Sequence, residues 1–337
     1  MRYIKPTYFI FLIVFTAACS KNPVPETMSP EIGFTLGLQS KTTVDNSNLH
    51  TSGSQITIYD VHSRTSPSEE DQSEAGLVQY IDGRVLECNG SEWTFSPKIP
   101  WTKRGTHEFF AYYSKNGKDG SSVGATVGYE STIDGASSQT FNISSWQLTL
   151  DNQFDFMYAT ASRDLIHNDY SPVPLPFKHL CAAVRFRIVN TGTAANTFKE
   201  FSITGMSDRA TAEIKTTGTP VIVSTVTQNA QMRVARENGL AANGGSMFIH
   251  SNIGKVSSDG YFIMWPHSAD QYDDIRFSLK MFDREIKDRL LSEVANVNNW
   301  QAGYKYTYNI NVGDNFIIFE SVDVVDWVTD DLILEER

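Results

Sequence analysis

The residue whose type and position most clearly predict a chemical modification is Cys19. It follows two alanines at the end of an uncharged, mostly apolar stretch over residues 8–18, which Arg2 and Lys5 precede. That stretch is too short to cross a bilayer as a finished helix but has the form of a signal-peptide core. Thr16 departs from the leucine that bacterial lipoproteins usually carry there. We predict export and a lipid on Cys19; the alternative is an ordinary cleaved signal in which Cys19 has no role.

Residues that could support catalysis or metal binding do not form a recognisable pattern. The sequence has no H-E-x-x-H, no G-x-S-x-G, no phosphate-binding loop and no cysteine pair at metal-binding spacing. His179 lies beside an apolar run, where a packed histidine is expected more often than a ligand. Asp270, Asp273 and Asp274 lack the ordered spacing of a calcium loop, so they indicate a solvated turn. We therefore expect no enzyme activity, no metal site and no cofactor.

Four aromatic residues suggest two different uses. Trp93, Trp101, Tyr112 and Tyr113 have rings that could stack on sugars if exposed. On alternating strands such residues more often fill a core. The core is therefore the favoured interpretation, and a sugar-binding face is the alternative.

Composition and charge restrict the class of protein. The chain has 337 residues, 40% hydrophobic and 12% aromatic, and a net charge of −11 at pH 7. A negative balance argues against nucleic-acid binding, which requires a basic face. No stretch after the signal is long and apolar enough for a membrane-spanning helix. The length exceeds that of a single core, so two domains are expected.

Apolar residues alternate with polar ones in run after run along the chain. Side chains change face at each residue of a strand, so this pattern predicts sheets with one buried face. Sheets of that kind pack face to face as sandwiches, and the sequence predicts an all-β fold. The clearest runs are 32–38, 56–59, 184–188, 275–281 and 304–312.

The segments between the runs suggest where the domains divide. Residues 1–18 form the signal and residues 19–29 a flexible tether; 30–170 and 171–337 are the predicted sandwiches. The proline-rich, loop-like stretch 168–174 motivates this boundary.

Three local features carry separate predictions. The pair Asp82-Gly83 predicts a tight turn. Residues 283–297 fit either a short helix or a hairpin. A Cys88–Cys181 disulfide is disfavoured because the two cysteines are predicted in different domains, and Cys181 is expected to be a small buried residue.

Several phrases, in this order, resemble the fimbrillin family, the type V pilins of Gram-negative gut and oral anaerobes. None is specific alone, because each consists of packing and turn residues, but their order and the lipoprotein start are specific together. The phrases are WTFSP at 93–97, EFFAYY at 108–113, LPFKH at 175–179, WQAGYKYTY at 300–308 and VDVVDW at 322–327.

This resemblance implies two tandem transthyretin-like β-sandwiches and a subunit or anchor of an adhesive pilus on the cell outer membrane. In such a family a trypsin-like protease removes an N-terminal strand, and a strand from the next subunit fills the groove. Here the strand to be removed carries Ile32, Phe34, Leu36 and Leu38. The resemblance implies cleavage at Lys41, with Arg64 as the second candidate, and a donor strand within 322–334.

The partners implied are other pilus subunits, the outer membrane through the lipid, and ligands on host or bacterial surfaces. The alternative function is a surface lipoprotein that binds glycans without polymerising. Exposed aromatic rows would favour that alternative, whereas a groove beneath the first strand favours the pilus subunit.

Overall fold

The computed structural model is built almost entirely of β-strands, which confirms the all-β prediction. It describes residues 30–38, 55–64, 76–88, 93–102, 105–113, 126–131, 139–148, 156–165, 167, 169–215, 220–226, 231–250, 260–293, 297 and 299–327. Among these residues the one α-helix has a single turn, and no helix is long and apolar enough to cross a membrane.

The first nine strands cover the N-terminal part of the described chain. Of the five alternating runs noted in the sequence, 32–38, 275–281 and 304–312 become strands of nearly the same length, because alternation buries one face of each. The runs 56–59 and 184–188 lie inside longer strands. These nine strands are β1 (Phe34–Leu38), β2 (Gln55–Arg64), β3 (Gly76–Cys88), β4 (Trp93–Phe95), β5 (Thr106–Tyr113), β6 (Thr126–Ser131), β7 (Gln139–Gln147), β8 (Met157–Asp164) and β9 (Val173–His179).

The remaining strands follow with one short helix between them. They are β10 (Ala182–Asn190), β11 (Asn196–Thr204), β12 (Ser207–Lys215), β13 (Val221–Val226), β14 (Gln231–Leu240), β15 (Gly245–Ile249), β16 (Phe262–Met264), α1 (Ala269–Tyr272), β17 (Arg276–Met281), β18 (Glu285–Leu290), β19 (Tyr304–Val312) and β20 (Ile317–Asp326). Hairpins connect several neighbours, including β17–β18 and β19–β20.

The described strands form four sheets. Sheet A has the order β1-β9-β8-β5-β2-β3-β4, and sheet B has the order β13-β12-β7-β6. Sheet C has the order β15-β10-β19-β20 with β16 also paired to β10, and sheet D has the order β14-β11-β17-β18. Sheet B therefore joins strands from both halves of the chain.

Three apolar clusters lie on the faces of these sheets. The C-terminal core lies between sheets C and D, where Phe186 and Tyr308 meet Phe201 and Phe277. The middle core joins one face of sheet A to sheet B and to the start of sheet C. The N-terminal core covers the other face of sheet A. Strand β5 is consequently buried on both faces, with alternate residues in the N-terminal and middle cores.

Strand β9 belongs to sheet A. It pairs with β1 over five residues and with β8 at its end, and Val173, Leu175 and Phe177 are buried in the N-terminal core. The sequence-based boundary between 170 and 171 precedes this strand, so we now propose the division after His179. The division into two transthyretin-like units remains a proposal.

The structure changes one local expectation and decides between two alternatives at another segment. Asp82-Gly83 is not a turn: Gly83 has φ 58° inside the continuous strand β3, next to irregular pairing with β2. This is a bulge, which uses the same left-handed conformation that a turn would need. Of residues 283–297, for which a helix and a hairpin were both open, Glu285–Leu290 form strand β18, which pairs antiparallel with β17 in a hairpin.

Candidate functional site

The strand that the sequence marks for removal lies at one edge of sheet A. Strand β1 runs parallel to β9, with Phe34 opposite Val173 and Leu38 opposite Phe177. Of its side chains, Phe34 and Leu36 are buried, whereas Thr35 between them is exposed. The predicted inward row is therefore confirmed for these residues and for Ile32 just before them; the side chain of Leu38 lies outside what the structure describes.

The residues before β1 close the N-terminal core on its other side. The Ile32 N–H donates to the Ile99 carbonyl at 2.8 Å, and the Trp101 N–H donates to the Pro30 carbonyl at 2.9 Å. Residues 99–101 follow β4, the strand at the opposite edge of sheet A from β1. Residues 30–32 therefore connect the β1 edge of the sheet to its β4 edge. Removing β1 together with this segment would open the core along its length.

Phe34 is the largest side chain that β1 contributes to this core. Its ring is edge-on to Phe95 of β4, with centroids 5.8 Å apart, and edge-on to Phe109 of β5, with centroids 5.3 Å apart. Edge-to-face pairs add stability beyond the area they bury. Phe34 thus connects the first strand to the middle and the far edge of sheet A.

A buried polar cluster lies at the end of the core where this segment closes. Nδ1–H of His107 donates to Oδ2 of Asp60 at 2.5 Å, and both side chains are inaccessible to solvent. Oγ1 of Thr102 lies 2.7 Å from Nε2 of His107 and 3.2 Å from Nε2 of His62. A hydroxyl donates one bond and accepts another, so Thr102 links both imidazoles. Burial raises the pKa of Asp60, and the hydrogen bond from His107 opposes that rise.

The order Asp60–His107–Thr102 has the connectivity of a hydrolase triad, but its surroundings indicate a structural role. The Trp101 ring stands edge-on to the His107 ring, with centroids 5.2 Å apart. The backbone N–H of Trp101 donates to the Pro30 carbonyl, in the segment before β1. The carboxylate and both imidazoles are buried. The cluster therefore joins β2, β5 and the 99–102 segment at the point of closure.

Sequence analysis missed this cluster although a signal was present. Ile56 and Ile58 begin an alternating run that continues to Asp60 and His62. Residues two apart share a face, so those two polar residues had to face the core as well. A buried polar pair needs partners, and His107 on the neighbouring strand β5 supplies one.

The remaining predicted site residues have different placements. Cys19 and Lys41 lie outside the described residues. Arg64 is the last residue of β2, opposite Gly76 of β3, and its side chain is not described. Strand β2 lies between β5 and β3 in sheet A, and its Ile56 and Ile58 are fully buried.

Part of the candidate donor segment 322–334 is already paired with another strand of this chain. Its first residues belong to β20, which pairs with β19 from end to end. Trp327 is buried, its N–H donates to the Gly303 carbonyl at 2.6 Å, and its ring stacks on His179 at 4.1 Å. Residues 322–327 are thus paired or packed within this chain, and residues 328–334 lie outside the described residues, so donation from 322–334 stays a prediction.

The four aromatic residues considered for sugar stacking are core residues. Trp93, Trp101, Tyr112 and Tyr113 are between 3% and 8% exposed. Neither these residues nor His179 offers an open ring face, which removes the observation behind the glycan-binding alternative. Within the described ranges no group of three histidine, cysteine or acidic residues is placed to hold a metal ion.

Stacked sheets with a buried edge strand define the chain as a multi-sheet β-sandwich protein. The family model described as fimbrillin-like matches residues 42–327, and this chain belongs to that family.

Solved structures show the same fold. A fimbrial protein from Bacteroides vulgatus has a TM-score of 0.57 at 13% identity, covering 88% of this chain and 99% of that one. A candidate cell adhesion protein from Bacteroides ovatus has a TM-score of 0.53 at 17% identity, covering 90% and 99%. No curated protein is a significant match.

Proposed function

We propose that this chain is a subunit of a cell-surface adhesive pilus that becomes competent for assembly when its first strand is removed. The observation that supports this most directly is β1 itself, an edge strand whose inward side chains complete an apolar core. Membership of the fimbrillin-like family supports the same class of function.

Assembly would be driven by the open apolar groove that removal of β1 would leave in sheet A. Burial of an aliphatic or aromatic side chain contributes about 1.5–3 kcal/mol, so losing Ile32, Phe34 and Leu36 would leave a markedly unfavourable open groove. The edge of β9 would also lose its backbone partner over five residues. An added strand would restore both the hydrogen bonds and the apolar contacts.

Of the two candidate cleavage sites, Lys41 is the one the fold supports. It lies after β1 and before β2, so cleavage there separates only the edge strand. Cleavage at Arg64 would also separate β2, which has a neighbour on each side and two fully buried isoleucines.

Lipid attachment and strand removal are linked through the order of the chain. Cys19 and β1 both precede Lys41, so one cut separates both from the rest of the protein. A molecule that keeps a lipid on Cys19 keeps its own first strand, as an anchor in the outer membrane would. A cleaved molecule has an open groove and is a structural subunit.

The test is the behaviour of Lys41→Ala in cells that carry the fimbrial assembly system. Wild-type protein is expected in detergent-resistant polymer ladders with residues up to 41 missing. Lys41→Ala is expected at the surface, with an intact N-terminus and absent from ladders, whereas Arg64→Ala should behave as wild type. Ladders containing Lys41→Ala with its N-terminus intact would overturn cleavage-dependent assembly.

A further inference from the structure

We propose that sheets C and D carry a binding site for a neutral sugar at one end, where three connections between their strands meet. The inference goes beyond the proposed function, because every residue of the site follows Lys41 and the site does not depend on removal of β1. The four aromatic residues considered above for sugar stacking are buried, and this site uses a different ring, that of Phe282.

The site is a cavity of about 110 Å³ between the β10–β11 loop, the β17–β18 turn and the β19–β20 loop. Residues 194–197, 282–284 and 313–314 line it together with Asn190. Most of these residues are at least partly exposed, so the cavity opens to solvent. Pockets for drug-sized ligands measure about 300–1,000 Å³, so this smaller cavity suits one terminal ring of a longer ligand.

The cavity lies at the end of sheet C that faces away from the middle core. Strand β20 begins three residues after the cavity residue Asp314 and runs for ten residues to Asp326, and the next residue, Trp327, is buried in the middle core. A strand rises about 3.3 Å per residue, so the two ends of β20 are about 30 Å apart. A ligand in the cavity would therefore not meet β1 or its neighbours in sheet A.

Hydrogen bonds between the three connections hold the cavity walls in place. Nη1–H of Arg284, in the β17–β18 turn, donates to the Gly313 carbonyl in the β19–β20 loop. The Asp314 carboxylate accepts the Thr193 N–H at 2.8 Å and the Thr193 hydroxyl at 3.1 Å, which connects it to the β10–β11 loop. Walls that are fixed before binding avoid the ordering cost that a mobile site would incur.

The polar side chains of the cavity retain unused hydrogen-bonding groups. A carboxylate has about four lone-pair sites, and Asp314 uses one on each oxygen for Thr193. Three N–H groups of Arg284 donate to Asp283 and Gly313, which leaves further guanidinium donors. Acceptors and donors are thus available side by side. This combination suits hydroxyl groups, because each hydroxyl both donates and accepts.

Phe282 supplies the apolar wall of the cavity. It is 73% exposed in the β17–β18 turn, and its N–H donates to the Thr197 carbonyl at 2.8 Å, which holds the backbone that carries the ring. Nζ of Lys199 lies 5.3 Å from the ring centroid. A sugar has an apolar C–H face and an edge of hydroxyls, so it matches an aromatic ring that stands beside groups able to bond hydroxyls.

The charges of the cavity favour a neutral ligand. Its lining carries two carboxylates, Asp283 and Asp314, and one guanidinium, Arg284, so negative charge is in excess. The hydrogen bond from Arg284 lowers the pKa of Asp283 to about 2, and this carboxylate is therefore ionised at neutral pH. An anionic sugar would be repelled by the excess negative charge. A cation would offer no acceptor to the remaining donors of Arg284.

The test measures binding by the full chain with Cys19→Ala, which removes the predicted lipid site. The immobilised probes are oligosaccharides ending in neutral glucose, galactose, mannose or fucose, oligosaccharides ending in sialic acid or sulfate, and an oligolysine peptide. The variants are Phe282→Leu, Phe282→Trp and Asp314→Asn. The controls, Val223→Ala and Asp288→Asn, change an exposed apolar residue of β13 and an exposed carboxylate of β18, both outside the cavity.

The unsubstituted cavity should bind neutral oligosaccharides but neither the anionic ones nor oligolysine. Phe282→Leu keeps an apolar side chain without a flat ring and should bind about 10-fold more weakly, whereas Phe282→Trp should bind at least as well. Asp314→Asn keeps an acceptor for the Thr193 N–H but loses the charged acceptor, and should also bind about 10-fold more weakly. Both controls should bind normally, and urea unfolding checks that every variant is folded.

The outcomes separate the sugar site from the proposed function. If no neutral oligosaccharide binds, or if only the anionic oligosaccharides or oligolysine bind, the neutral-sugar site is overturned. If Phe282→Leu and Asp314→Asn both bind as strongly as the controls, the assignment to this cavity is overturned. The measurement uses uncleaved protein, so the result obtained with Lys41→Ala bears only on assembly and leaves the sugar site unaffected.

Discussion

The ring of Phe34 stands almost perpendicular to that of Phe109, at 88° with centroids 5.3 Å apart. The first residue belongs to a five-residue edge strand, and the second to a strand buried on both faces at the middle of sheet A. Through this contact the N-terminal core depends on the strand that the proposed cut after Lys41 would separate.

Replacing Phe34 by alanine should destabilise the intact protein by about 3–5 kcal/mol, because the site loses its ring and retains a cavity. Urea unfolding monitored by tryptophan fluorescence measures the change. Thr35→Ala is the matched control on the same strand, with an exposed side chain, and should change stability little. Equal midpoints for the two variants would contradict the assigned role of Phe34.

The polar cluster at the closed end should be sensitive to loss of its carboxylate. Asp60→Ala leaves Nδ1–H of His107 buried without its acceptor, and breaking a buried pair of this kind costs about 3–5 kcal/mol. Unfolding in urea is again the measurement, with Asp82→Ala, an exposed aspartate of β3, as the control. A loss no greater than that of the control would show that the pair is not important for closure.

His267 predicts loss of stability in acid. Burial lowers its pKa from 6.5 to about 4, and its Nε2 accepts the Ser207 N–H at 2.7 Å, so the neutral ring is the folded form. The unfolded chain binds the proton at the ordinary pKa. The contribution of neutral His267 to the free energy of unfolding is therefore fully present above about pH 6.5. It is lost as the pH falls towards 4, and the total loss is about 3 kcal/mol.

His267→Gln keeps an acceptor for Ser207 but does not titrate, so its stability should fall less than that of wild type between pH 6.5 and pH 4. Thermal or urea unfolding across that range measures the difference. His167→Gln removes an exposed histidine and should retain the wild-type slope. Identical slopes for all three proteins would rule out His267 as the source.

The lipid prediction concerns export. Cys19→Ala should place the protein in the aqueous phase of a detergent phase separation, whereas uncleaved wild type should enter the detergent phase. Metabolic labelling with a fatty acid provides an independent measurement, since the variant should take up no label. A variant that still enters the detergent phase would disprove the lipid on Cys19.

Local sequence patterns predicted strand faces well. The alternation in β1, β10 and β19 places side chains on opposite faces regardless of which strands become neighbours. Asp82-Gly83 was misread because a bulge and a tight turn need the same backbone conformation at glycine. Asp60 and His62 lie on the buried face of the run that begins at Ile56, but a polar residue indicates burial only once its partner is known, and His107 comes from a different strand.

The sequence by itself determined which side chains of the alternating runs face inward. The export signal, the lipid on Cys19 and cleavage at Lys41 stay predictions from the sequence. Only the tertiary structure decided which strands pair. Strand β1 runs parallel to β9, and β7 pairs with β12 from the other half of the chain. Alternation specifies a face but not a neighbour, because backbone hydrogen bonds are the same for every residue and the partner depends on which edges remain after the cores pack.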